Sequence, residues 1–221
     1  MPTASANSGG SDFELIPASI HHAICYSVID CGTQKSTNPA FNDAHKIILN
    51  FELPFQRGTF KKDGVDTDLP RATSKEYTLS IGSKAYLRRD LESWRGKPFT
   101  KEEEAAFETG VLAGINCQVN IAHKTGNNGK TYANIIAIVP LGQGMEKKTA
   151  ENPIVVWDMP TDGSPIVIPQ NVPEWIQKKI EGSLEYQAQL HPESVPDHQK
   201  RDDANDQAFP TNDGVDEDVP F

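Results

Sequence analysis

Cysteine is scarce in this chain. Three residues (Cys25, Cys31 and Cys117) in 221 form an odd, sparse set that does not suit a secreted disulfide scaffold. Long apolar runs are missing as well: none approaches the ~20 residues of a membrane helix. The N-terminus "MPTASANSGGSD" has no basic-then-apolar signal pattern. A soluble, reduced, cytoplasmic protein without membrane contact is expected. Enzyme signatures are also lacking. There is no G-x-S-x-G, and "GNNGKT" is too short for a Walker loop and stands in a turn rather than before a helix. His21, His22, Cys25 and Cys31 lie close together, but along one strand-like run, where His21 and His22 face opposite sides, and no second ligand pair follows. No catalysis, metal or cofactor is expected.

Apolar residues make up 37% of the chain and mean hydropathy is −0.52, low enough to suggest that part of it stays unfolded. Net charge is −10, unevenly spread. From His191 to Phe221 nine acids stand against Lys200 and Arg201, so this tail carries −7 and the other 190 residues only −3. The stretch from Arg71 to Lys148 is net positive by four. An acidic pI therefore describes the tail and does not exclude nucleic acid as a ligand of the body.

What is present is strand pattern. Five strand-like runs stand out: "SIHHAICYSVIDCGTQ", "HKIILNFELP", "SKEYTLSIG", "INCQVNIAHK" and "KTYANIIAIVPL". In the second, Ile47, Leu49, Phe51 and Leu53 fall on one face, with Lys46, Asn50 and Glu52 on the other. In the fourth, Ile115, Cys117, Val119 and Ile121 alternate with polar residues. "KTGNNGK" joins the last two runs as a hairpin turn with positive-φ positions. Between the third and fourth runs the period becomes helical: Leu87, Leu91 and Trp94 form a stripe, with Ser83 as expected N-cap and Gly96 as stop. Arg88 and Glu92 are spaced for an i, i+4 pair, and Thr100 with Glu103 forms a capping box for a second short helix.

The order strand, strand, strand, helix, strand, strand is that of an OB-fold, a five-stranded Greek-key barrel with a helix between strands 3 and 4. Other small β-rich folds share the order. The expected division is a disordered arm over 1–12, the OB-fold domain over 13–148, an extension with a short helix over 149–190, and a disordered acidic tail over 191–221. The extension holds two extended pieces, Ile154–Trp157 and Ile166–Ile168, and a helix in "PEWIQKKIEG" ending at Gly182. It is expected to cover apolar surface of the barrel; an oligomer contact through Trp175, Ile176 and Ile180 is the other reading.

Rings and cations collect near the loops. The loop after the second run carries Phe55, Arg57, Phe60, Lys61 and Lys62, and the last hairpin carries His123, Lys124, Lys130 and Tyr132. Tyr26 and Tyr77 lie in strands, with Lys46 and Lys75 near strand starts. This is the mixture a single-strand binder needs, cations for phosphates and rings for bases. Phe51 and Trp94, on apolar stripes, are assigned to the core.

The chain closes on Asp216, Glu217, Asp218, Val219, Pro220 and Phe221. This resembles the acidic Pro-Phe tip of bacterial single-stranded-DNA-binding proteins. With "AICYSVIDCGTQ", "SKEYTLSIGSKAYLRRDLESWRGKPFT" and "KTYANIIAIVPL", the chain is similar to phage-encoded members of that group over about residues 13–182. The resemblance implies sequence-independent single-stranded DNA binding and protection in phage replication, recombination or repair, in the host cytoplasm. It implies recruitment of replication and recombination proteins through the tip. The Phe221 ring suits a partner's apolar pocket and its α-carboxylate an Arg or Lys there, while the acids before it steer basic partners. A strand-annealing or recombination-mediator protein and a protein adapter without nucleic-acid affinity are the alternatives. Whether the chain forms a homo-oligomer is left open.

Overall fold

The computed structural model describes residues 14–192 apart from Asp63. The expected arm and the tail from residue 193 onward, with Asp216–Phe221, lie outside the described residues. The chain is mainly β. Its strands are β1 (Ile20–Gln34), β2 (Ala44–Lys62), β3 (Val65–Thr78), β4 (Asn116–Thr125), β5 (Thr131–Pro140) and the short β6 (Val155–Trp157). Helices α1 (Tyr86–Arg95) and α2 (Lys101–Ala105) separate β3 from β4, and α3 (Glu174–Glu181) and α4 (Leu184–Leu190) follow β6. The five expected strands form one antiparallel sheet in the order β3-β2-β1-β4-β5, and β6 adds to β1 in parallel. The expected barrel does not close: β3 and β5 come near each other, but no ladder joins them.

The period-two pattern sorts the two faces. Ile47, Leu49, Phe51 and Leu53 are all buried on the inner face, with Ala23, Cys25 and Val28 of β1 and Cys117, Val119 and Ile121 of β4. Leu87, Leu91 and Trp94 of α1 close this core from one side. The N-cap is Ala85 rather than the expected Ser83, and it offers no side-chain acceptor to the helix that begins at Tyr86. Its end is as the sequence indicates. Gly96 takes φ +68° and its N–H returns to Glu92, a left-handed cap for which a residue without Cβ is best suited. The Thr100–Glu103 capping box is formed in both directions, and Arg88 pairs with Glu92 at 2.9 Å.

The outer face is less polar than the alternation suggests. A bulge at Tyr26 shifts the phase of β1, so that Ile29 and Cys31 face out beside Ile48 of β2. The extension covers them. Val155, Met159, Val172, Ile176 and Ile180 form a second core on this half of the sheet. Ile176 and Ile180 are fully buried within the chain, whereas Trp175 is exposed. The docking is specific at Gly32 (φ +66°), where a Cβ would come within 2.8 Å of Glu185, Met159 and Ser183. Beside it Glu185 accepts from the Thr33 N–H (2.8 Å) and hydroxyl (2.6 Å), tying α4 to β1. The sequence pattern did not reveal α4, whose residues carry no clear stripe; Ser183 caps it by accepting from the Tyr186 N–H.

His45 joins this junction. Its Nε2 lies 2.6 Å from Asp30 and its Nδ1 3.9 Å from Glu185. The hydrogen bond to Asp30 and the two carboxylates raise its pKa above the ordinary 6.5, against the opposing effect of burial. A raised folded-state pKa contributes stability that is fully present below about pH 6.5 and is lost as pH rises through the folded midpoint. An NMR titration should place the His45 midpoint above 6.5, and the His45→Gln chain should lose the corresponding part of the stability–pH curve.

All three thiols are buried and unpaired. Burial pushes Cys25 and Cys31 up to about 12, which makes them inert packing groups. Among the described residues no cluster of His, Cys, Asp and Glu could hold a metal ion, and no helix is long and apolar enough to cross a membrane.

Candidate nucleic-acid interface

Register decides where the candidate residues meet. β2 and β4 both run antiparallel to β1, so the hairpins that follow them leave from the same end of the sheet, where β1 begins. The segment expected as a loop, Phe55 to Lys62, is strand. After an irregularity between Leu53 and Arg57, residues 57–62 pair with 65–70 as a two-stranded arm turning at Gly64 (φ +81°). Thr59, Val65 and Thr67 suit such a ribbon, and the cations between them hid it from a reading based on apolar alternation. The β4–β5 hairpin is the second arm, turning through Gly129 (φ +75°).

Between the arms lies the half of the outer face that the extension leaves open. Lys124 and Tyr132 are directly opposite each other across β4 and β5, on the same face as Asn120 and Ile20. Tyr132 is 44% exposed, and its hydroxyl accepts from Asn128 at 2.7 Å. Toward the first arm, Phe55 is 64% exposed and its ring tilts against His22, with centroids 5.6 Å apart. His22 is itself buried and held by Asn116 at 2.7 Å, which fixes the surface on which Phe55 leans. Ile20 and Ile136 are exposed in the same region. Lys61 of the first arm and Lys124 and Lys130 of the second are exposed and hold no ion pair among the described residues. The face thus offers two open rings, a strip of amides and unpaired ammonium groups at its flanks.

Several expected contacts are placed elsewhere. Tyr77 is in the core, 4% exposed, with its hydroxyl donating to the buried Asp90 at 2.9 Å; its ring cannot stack on a base. Lys75 is drawn inward with it, 2.6 Å from Asp90 and over the Tyr77 ring. The odd residues of β3 face α1, which explains both corrections. Arg57 is clamped between Asp68 and Glu151, an arrangement that raises its pKa further and leaves it little capacity for phosphate. Tyr26 stands in the bulge, largely covered; burial first and Glu52 second raise its pKa. Phe60 is half-buried on the arm, and the Lys62 side chain lies outside the described set. Lys46 donates to Thr78 at 3.0 Å at the opposite end of the sheet. There it lines a groove of about 780 Å³ with Lys84 and Tyr86. Tyr86, 70% exposed with Arg89 over its ring at 4.8 Å, was not singled out from sequence, where it reads as one more helix residue.

Family models, curated proteins and solved structures offer no match to this chain.

Proposed function

We propose that the chain binds single-stranded DNA without sequence preference through the open outer face between its two hairpin arms. The single observation carrying this reading is the grouping of Phe55, Tyr132, Lys124 and Lys130 at one end of the sheet, with rings exposed and ammonium groups unpaired. Exposed rings accept any base, because every base has a π-face, and lysines follow the phosphates. The strand order and the position of α1 support an OB-type arrangement opened between β3 and β5. In this reading the chain protects single strands during phage replication, recombination or repair. Asp216–Phe221, outside the described residues, recruits replication proteins. Nothing is catalysed.

Nine of the 19 cations of the body pair with carboxylates among the described residues, including Arg57, Lys75, Arg88, Arg95 and Lys179. Of the others, Lys61, Lys124 and Lys130 flank the face, so the salt dependence should be shallow. With about three phosphate contacts, log K against log salt should slope by roughly −2. Titration of a fluorescein-labelled oligothymidine between about 50 and 200 mM salt reads this slope. Absence of single-strand binding, or equal preference for duplex, overturns the proposal. Faster pairing of complementary strands would instead identify an annealing or mediator protein.

A further inference from the structure

At the end of the sheet opposite the arms, a second groove of about 530 Å³ opens where β4 begins and β5 ends. Its apolar wall includes Val111, Ile115, Pro140 and Leu141, of which Val111 (58%) and Ile115 (47%) are exposed. Ile115 was expected in the core by alternation, but it precedes β4 and stands out into this groove. Three cations line the same space: Arg95, Lys97 and Lys147. The one acid among the lining residues, Glu103, already accepts from Arg95 Nη2. Among the described residues Lys97 and Lys147 hold no ion pair. Arg95 Nη1 is, among the described residues, the one buried side-chain nitrogen or oxygen without a hydrogen-bond partner. Its guanidinium is held over the Phe99 ring at 4.5 Å and near Phe107 at 6.0 Å, so it is positioned in advance of any ligand. A buried donor left unpaired is costly; Nη1 itself is shielded from solvent, so Arg95 contributes its positive charge to the groove while the exposed Lys97 and Lys147 supply the accessible donors.

We propose that this groove is a docking site for an acidic peptide segment of a partner protein, one that carries an aliphatic side chain beside its carboxylates. Lys97 and Lys147 receive the carboxylates beside the Arg95 charge, and the aliphatic side chain lies on Val111, Ile115 and Leu141. Nucleic acid fits less well. Of the two rings in the lining, Trp94 is only 5% exposed, and the half-buried Phe107 is engaged edge-on by Phe99 with the Arg95 guanidinium over it, so neither offers a base a free face. Charge complementarity selects the acidic partner. The site is independent of the DNA-binding face, being at the other end of β4 and β5.

The test uses the full chain and a fluorescein-labelled peptide, Gly-Asp-Asp-Glu-Leu-Leu-Gly, with the Asn/Gln version as control. Fluorescence anisotropy should report binding of the acidic peptide and little of the neutral one. Lys97→Glu with Lys147→Glu should weaken it at least about tenfold, since each reverses a charge that faces the ligand. Val111→Asp should do the same by placing an acid in the wall. None of these exposed positions supports the core, whereas Arg95 also packs on Phe99, so it is left unchanged. Oligothymidine affinity, measured in parallel, should not move. Absence of peptide binding, equal binding of the neutral peptide, or variants that bind as the parent does, overturns the proposal. So does loss of oligothymidine rather than peptide affinity, which would assign the groove to nucleic acid. Peptide binding seen only after Phe221→Ala would make the chain's own end the occupant and likewise overturn a partner's role.

Discussion

Replacing Phe55 and Tyr132 together by alanine is expected to weaken oligothymidine binding by roughly 2–6 kcal/mol, at least about thirtyfold, if each ring stacks on one base. Both side chains are substantially exposed, so little core packing is lost and the thermal midpoint should hardly change. The two rings differ in what supports them. Phe55 rests on a buried His22 fixed by Asn116, whereas Tyr132 is held through Asn128 at the tip of a hairpin. Phe55→Ala should therefore be the larger single effect, because its platform is ordered before the strand arrives. Leucine at either position retains apolar area but not a flat π-face and should recover little. Tyr77→Phe provides the contrast: it changes stability through the lost Asp90 hydrogen bond and leaves binding untouched. If the Phe55/Tyr132 pair is silent and Tyr77→Phe weakens binding, the strand does not lie on the face between the arms.

The inner face was legible because burial there is one-sided. Ile47, Leu49, Phe51 and Leu53 have nowhere else to go once the polar residues between them are turned out, and Leu87, Leu91 and Trp94 fit the same core at helical spacing. The outer face was misleading for the opposite reason. Asn50 and Glu52 look like solvent-facing residues, yet they are 4% and 0% exposed, because a segment about a hundred residues downstream folds over them. No local pattern encodes such a cover. Closure of the barrel was equally out of reach: strand order follows from alternation and turns, whereas a β3–β5 ladder depends on how far the sheet coils.

Of the candidate site, the residues at hairpin tips were the readable part. Lys124, Lys130 and Tyr132 flank a Gly/Asn turn, and a turn of that kind points its neighbours outward whatever the rest of the fold does. Residue type alone cannot tell a stacking ring from a packed one, which misleads at Tyr77 and Lys75; Asp90, on the next element α1 and thirteen and fifteen residues further along the chain, draws both inward. Arg57 was misjudged for a similar reason, since Glu151 reaches it from the extension. Ion pairing across distant segments thus removes cations that composition counts as available. Within Arg71–Lys148 the acids that pair Lys75, Arg88 and Arg95 are already counted in the net of +4, but the lysines left over are divided between the two ends of the sheet, Lys124 and Lys130 at the second arm and Lys97 and Lys147 at the other.

Glu52→Ala should be the most damaging single replacement outside the apolar cores, costing about 3–5 kcal/mol. The carboxylate is fully buried and accepts three hydrogen bonds, from the Glu151 N–H (3.0 Å), the Asn152 N–H (2.8 Å) and the Asn152 side-chain amide (2.7 Å). Hydrogen bonds to a charged acceptor contribute about 1.5–3 kcal/mol each, and removing the acceptor leaves buried donors unpaired. Glu52→Gln keeps the shape but turns an NH₂ group toward a set of donors, so it should recover only part of the loss. Urea titration would read the change in midpoint. Hydrogen exchange would read its location: protection should fall first in residues 148–157 and in α3, which follow this anchor, and persist in β1, β2 and β4. Loss of protection uniformly across the sheet would contradict the assignment, because it would make Glu52 part of the inner core's cooperative unit. The carboxylate stands beside Ile24, at the boundary between the covered and open halves of the outer face. Freeing the extension would bare Ile29, Cys31 and Ile48 and enlarge the surface next to Phe55. Glu52 therefore sets how far the extension advances over the sheet, and with it the width of the face left open between the arms.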